Sequence, residues 1–170
     1  MRKWFQVYII AFALAILITG LGASRPLSKA EGSEIIENFR SQLPEKLSAT
    51  AIFRNNFQVA LIMLIPVIGW IIGGYVLYNT GVVISAAATG LAVPGSLVFL
   101  FLFLFPFALL EFGAYSAALT QSYFIAAGIY RRNIRPQLRG LALVIIIIAA
   151  VLLLAAFIEA SYLSRPVSAS

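Results

Sequence analysis

The chain contains no cysteine and no histidine, and its six acidic residues are all glutamate. Without cysteine there is no disulfide, no thiolate nucleophile and no sulfur ligand for a metal. Without histidine the commonest metal ligand, the commonest acid–base group and the usual switch near neutral pH are missing. Ser-His-Asp and Cys-His machinery cannot be assembled. Ordinary zinc, copper, haem and iron–sulfur sites lack their donors. The expectation is a protein that is not an enzyme and carries no cofactor and no metal. Charge is also scarce. Of the 76 residues between Arg54 and Arg131, Glu111 alone is charged.

What is present is apolar. The chain is 62% hydrophobic with a mean hydropathy of +0.99. A soluble domain of 170 residues cannot bury that much apolar surface. The sequence predicts one all-α membrane domain, a polytopic transmembrane helical bundle of about five spans. The net charge of +6 would suggest nucleic acid in a soluble protein. Here the basic residues flank apolar runs, so they read as topology determinants facing anionic headgroups. No nucleic-acid partner is expected.

The first span covers residues 4–21, preceded by Arg2 and Lys3. Its outline also fits a signal peptide, with small residues at Gly22-Ala23-Ser24. It is read as a retained anchor with a cytoplasmic N-terminus. Residues 28–56 are the one extended polar region and read as an external amphipathic segment. Ser28 and Glu31 have capping-box spacing. Ile35, Ile36, Phe39 and Leu43 then recur at helical spacing. Pro44 breaks this pattern and opens a second short helix at 45–56.

The second span is placed at 57–78 and contains Pro66, with Gly69 and Gly73 spaced for close helix approach. Asn79-Thr80-Gly81 has turn chemistry. A third span at 81–93 follows, with Gly81, Ser85 and Thr89 in one row, and Val93-Pro94-Gly95-Ser96 ends it. The fourth, 96–130, is greasy to Phe105 and breaks near Pro106. Beyond the break come Glu111, Gly113, Tyr115, Ala117 and Gln121. Arg131, Arg132, Arg135 and Arg139 form a basic loop that faces the cytoplasm by the positive-inside rule. The fifth span is 141–163, with Glu159 near its outer end. The C-terminus is then outside the cell membrane.

Glu111 is the candidate of most interest, because a carboxyl at the bilayer centre costs ~2.5–3.5 kcal/mol on insertion scales and is usually paired. It reads as a structural lock or as an ion or proton site. Candidate partners are Arg54, Asn55, Asn56, Asn79, Thr80, Tyr115 and Gln121. Gly69, Gly73, Gly81, Gly113 and Ala117 read as helix-packing positions.

Three segments together resemble the stage II sporulation protein M family of integral membrane proteins, especially its archaeal-type members. They are Ile52-Phe-Arg-Asn-Asn-Phe-Gln-Val-Ala-Leu61; Pro66-x-x-Gly69 with Gly73-Gly-Tyr75 and Tyr78-Asn-Thr-Gly81; and Pro106-x-x-x-x-Glu111-Phe-Gly-Ala-Tyr-Ser116. The family often has His directly after that last proline, where this chain has Phe107, so a His–Glu pair is not available here. The resemblance implies a helical membrane protein of about five spans. It also implies work with partner proteins rather than established enzymatic chemistry. The expected function is a structural, assembly or membrane-remodelling subunit. Its expected partners are membrane lipids and other membrane subunits or a second copy. The alternative is a transporter or permease component with Glu111 as its intramembrane site.

Overall fold

The computed structural model describes residues 2–42 and 48–163. The expectations for Leu43, Pro44, the start of a helix at Glu45 and the tail after residue 163 lie outside these residues. Among the described residues the chain is helical throughout, with seven helices. These are α1 (Arg2–Ala23), α2 (Lys29–Ser41), α3 (Ala49–Met63), α4 (Ile68–Leu91), α5 (Gly95–Leu102), α6 (Pro106–Tyr130) and α7 (Arg135–Leu163).

Local chemistry sets most of the boundaries. The capping box is formed: the Ser28 hydroxyl accepts from the Glu31 N–H, and the Glu31 carboxylate accepts from the Ser28 N–H at 2.8 Å. Ser48 caps α3 by accepting from the Ala51 N–H. Pro106 stands in the first turn of α6, where its missing N–H costs nothing. The helix breaks there as expected, and α5 meets α6 at 89°. Residues 92–94 separate α4 from α5, also as expected.

One boundary differs from the sequence reading. Asn79-Thr80-Gly81 is not a turn, because α4 runs through it. The Asn79 amide donates to the Tyr75 carbonyl at 2.8 Å and the Thr80 hydroxyl to the Val76 carbonyl at 2.9 Å. Both polar side chains are thereby satisfied within the helix. The chain reverses earlier, at residues 64–67. Pro66 cannot donate to a helical carbonyl and disfavours helix at Ile65, and Val67 takes φ 65°. That conformation is costly for a β-branched residue. It is held from both sides: the Ile65 carbonyl accepts from the Gly69 N–H and from the Ser122 hydroxyl of α6, each at 2.8 Å. A Cβ on Gly69 would fall on the Met63 carbonyl oxygen.

The predicted second span is therefore divided. Its first half belongs to α3 and its second to α4. Val59, Ile62 and Met63 of α3 face Ile72, Gly73 and Val76 of α4, so the two form a hairpin. α6 runs alongside α3, since Asn56 meets Glu111 and Ile65 meets Ser122. α7 runs back against α6: Gln121 bonds Gln137 near their junction, and Phe105 and Phe107 pack on Tyr162 at the far end. α1 lies parallel to α4, with Gly22 against Gly81 and Ser85 bonded to the Arg25 carbonyl at 2.6 Å. The five longer helices thus alternate in direction, giving the helical membrane bundle the sequence implies.

Three helices, α1, α4 and α7, are long and apolar enough to cross a membrane, or four spans if the bent pair α5–α6 counts as one. α3, with 15 residues, is about 22 Å long at 1.5 Å per residue, short of a ~30 Å hydrocarbon core.

The core is built from small and flexible side chains. Ala11 and Ala15 of α1, Met63 of α3, Ala118 and Leu119 of α6, and Ile148 and Leu152 of α7 are buried together. α2 docks on the C-terminal end of α4 through Gly32, which faces Thr89 and the Ala86 carbonyl. Its Glu34, Glu37 and Arg40 remain exposed.

Candidate carboxyl cluster

Glu111 lies in the second turn of α6 and is half-buried against α3. Asn56, on the facing side of α3, donates its amide to the Glu111 carboxyl. Asn55 in turn donates to the Asn56 side-chain Oδ1 at 3.3 Å. Helix α3 positions this pair because the Ser48 cap starts it one turn below Ile52, which is buried. Asn56, four residues past Ile52, then falls on the same inward face. Arg54 is exposed, and the amide of Asn56 is the group that reaches Glu111.

The cluster holds a second carboxyl. Glu159 of α7 lies within electrostatic range of Glu111, and Tyr115, one turn beyond Glu111, lies within range of both. Glu111, Asn56, Asn55, Tyr115 and Glu159 therefore converge at one end of the α3–α6–α7 unit. Sequence reasoning set Glu159 aside as a residue near an outer end. The signal was there to read. Glu111 stands 20 residues before Arg131 and Glu159 stands 24 after Arg135, so an antiparallel α6–α7 pair carries them ~30 and ~36 Å from the junction, within about one turn of each other.

Three of the predicted polar partners lie elsewhere, and Thr80 is one, bonded to the Val76 carbonyl of its own helix. Asn79 bonds its own helix. Gln121 is buried and donates to the Gln137 carbonyl at 3.1 Å, tying α6 to the start of α7. It is ten residues beyond Glu111, or ~15 Å along the helix. Trp70 makes a comparable tie, donating to the Leu119 carbonyl at 3.1 Å.

The small residues serve close approach inside the chain. A Cβ on Gly81 would fall on the Thr19 carbonyl oxygen, and one on Gly22 on the Tyr78 carbonyl oxygen. Gly73 faces Met63 and Leu119, Gly113 faces the Tyr8 hydroxyl, and Ala117 packs on the core. Arg131, Arg132, Arg135 and Arg139 are all exposed at the α6–α7 end, opposite the carboxyl cluster. Thr19, Ser116 and Thr120 spend their hydroxyls on carbonyls four residues back. Among the described residues every buried side-chain polar atom has a hydrogen-bond partner, and no three acidic, His or Cys side chains converge on a metal-sized site.

Chemically, a carboxyl held by an amide, with a second carboxyl and a phenol in electrostatic range, can lock helices or contribute to a proton or small-cation site. It contains no nucleophile–base pair of the usual kind.

The model of the family described as Stage II sporulation protein M matches residues 5–164. No curated protein and no solved structure matches the chain. The matched stretch takes in the described helices from the first turn of α1 onward, the carboxyl cluster and the basic junction, and the chain belongs to the stage II sporulation protein M family.

Proposed function

We propose that this protein is a non-catalytic, multi-pass component of the cell membrane that acts with partner membrane proteins in assembly or membrane remodelling. The observation that carries this reading is the spending of polar groups inside the bundle. The carboxyl cluster and the basic junction sit at opposite ends, and between them lie Met63, Leu119, Ile148 and Leu152, all buried and apolar. A solute path needs a succession of polar groups or a wet cavity. The hydroxyls along the way are committed to backbone carbonyls instead. On this reading Glu111–Asn56 fixes α3 against α6, and the lipid-facing sides of α1 and α7 are the surfaces left for other subunits. The N-terminus and the basic junction face the cytoplasm and the C-terminus faces outside, following the density of arginine at residues 131–139. The test is purification from native membranes in a mild detergent, followed by the mass of the intact particle. Foreign subunits in fixed stoichiometry support the reading; a bare monomer or homo-oligomer overturns it.

One observation favours a second reading, a transporter or permease component. Glu159 gives Glu111 the second carboxyl that a proton or cation site needs. A bound cation would raise the melting temperature with concentration, in the wild type and not in Glu111→Gln. A melting temperature independent of Na+, K+, Mg2+ and Ca2+ removes the cation-site form of that reading.

A further inference from the structure

A cavity opens at the end of the bundle opposite the carboxyl cluster, between the first turns of α1 and the α6–α7 junction, with a volume of ≈ 630 Å³. That is the size of a small-molecule site. Its polar side carries Lys3, Gln6, Arg131, Asn133 and Gln137, and its apolar side includes Val7, Ile10 and Phe124. Two cations and three amides face the cavity, and none of the described glutamates lines it.

The junction is built to a fixed shape. α6 ends with the Asn133 N–H donating to the Gly128 carbonyl at 2.8 Å and the Arg132 N–H to the Ile129 carbonyl at 3.0 Å. This double bond pattern normally ends in glycine, because its turn residue is left-handed. Here that residue is Arg132, at φ 52°, so an arginine is kept where glycine is cheaper. Gly128 lets the junction fold close: a Cβ there would stand 3.2 Å from the Asn133 carbonyl oxygen and from Gln137 Cγ. The Gln121–Gln137 bond pins the other edge.

We propose that this cleft binds the headgroup of an anionic phospholipid, with the phosphate between Lys3 and Arg131 and the acyl chains along Val7, Ile10 and Phe124. The polar side carries two cations and amide groups able to donate, with no described carboxylate among them, which suits a phosphate diester. The apolar side is continuous with the exposed apolar faces of α1 and α6, where Ile10 is 56% and Tyr123 48% exposed. That continuity selects a lipid over free phosphate. The proposal is independent of whether the bundle assembles with partners or carries ions.

The test is binding of a fluorescent phosphatidylglycerol to the full chain in a mild detergent, read by anisotropy, with fluorescent phosphatidylcholine as the comparison. Lys3→Gln with Arg131→Gln should weaken phosphatidylglycerol binding about thirtyfold, from about fivefold per cation near the surface. Arg135→Gln with Arg139→Gln removes the same charge outside the cleft and should leave binding within about threefold. Ala127→Trp fills the cleft without changing charge and should also abolish binding. Equal losses from the two double variants would show only diffuse attraction and overturn the proposal. So would equal binding of phosphatidylcholine, or undiminished binding by Ala127→Trp. Full displacement by millimolar inorganic phosphate would overturn it in favour of a free-anion site.

Discussion

Gly81 shows how directly the α1–α4 contact depends on a missing methyl group. In Gly81→Ala the new Cβ would overlap the Thr19 carbonyl oxygen and stand 2.7 Å from the Ala23 nitrogen and 2.9 Å from the Gly22 Cα. All three are backbone atoms, so no side chain can rotate away. Reaching an ordinary contact means moving α1 off α4 by roughly 1 Å. A gap of that size forfeits about a quarter to a half of each dispersion contact along the seam. The Ser85 bond to the Arg25 carbonyl, at 2.6 Å, would lengthen beyond hydrogen-bond range. Overpacking of this kind costs about 1–3 kcal/mol, which lowers the melting temperature by about 2–12 °C for a chain of this size. Gly90→Ala is the matched control. It lies in the same helix with nothing within 4 Å of its would-be Cβ, so it should gain up to about 1 kcal/mol from helix propensity. Thermal unfolding in detergent, followed by loss of the monodisperse peak, measures both. A Gly81→Ala protein as stable as Gly90→Ala would refute the contact.

Three further outcomes are expected. Glu111→Leu leaves the Asn56 amide without its acceptor and should destabilise the fold by about 1–3 kcal/mol, whereas Glu111→Gln keeps an acceptor and should cost less; denaturant melts in detergent rank the two. Ser122→Ala removes one of two donors to the Ile65 carbonyl at the reversal, and should cost about 1 kcal/mol and speed amide exchange at residues 64–69. Glu31 has its carboxyl held below its ordinary value of 4.5, first by the Ser28 hydroxyl and then by the Ser28 N–H. Its folded pKa lies below its unfolded one, so the cap is fully stabilising above the unfolded value and is lost as pH falls through the folded one. Amide exchange at residues 29–32 should therefore lose protection on acidification below about pH 4.5, while the start of α3, capped by the neutral Ser48, should show no such specific loss.

The bundle was legible in outline because hydropathy and helix breakers act locally. The Ser28–Glu31 box, the breaks at residues 92–94 and Pro106, and the basic junction all follow from side chains acting on their own backbone. What failed was the choice between two turn signals. Asn79-Thr80-Gly81 has the composition of a turn, but in an apolar setting Asn79 and Thr80 can satisfy themselves on α4. Gly81 is there for the approach of α1. A glycine that frees the backbone and a glycine that admits a neighbour look the same in one sequence. Pro66 falls inside the apolar run read as one span, and only the contacts of Val67, Gly69 and Ser122 show a reversal there. The carboxyl cluster was half legible. Glu111 stands out by isolation, and its Asn56 partner was among the candidates. Glu159 was missed because its depth depends on helix pairing, which no local pattern records.

Whether this membrane bundle holds or conducts is decided by ion flux in proteoliposomes. With purified protein and a pH-sensitive or cation-sensitive dye, a bundle that only holds should leak no more than protein-free vesicles, for the wild type and Glu111→Gln alike. Flux in the wild type that disappears in Glu111→Gln would contradict that prediction and make the carboxyl cluster a working ion site.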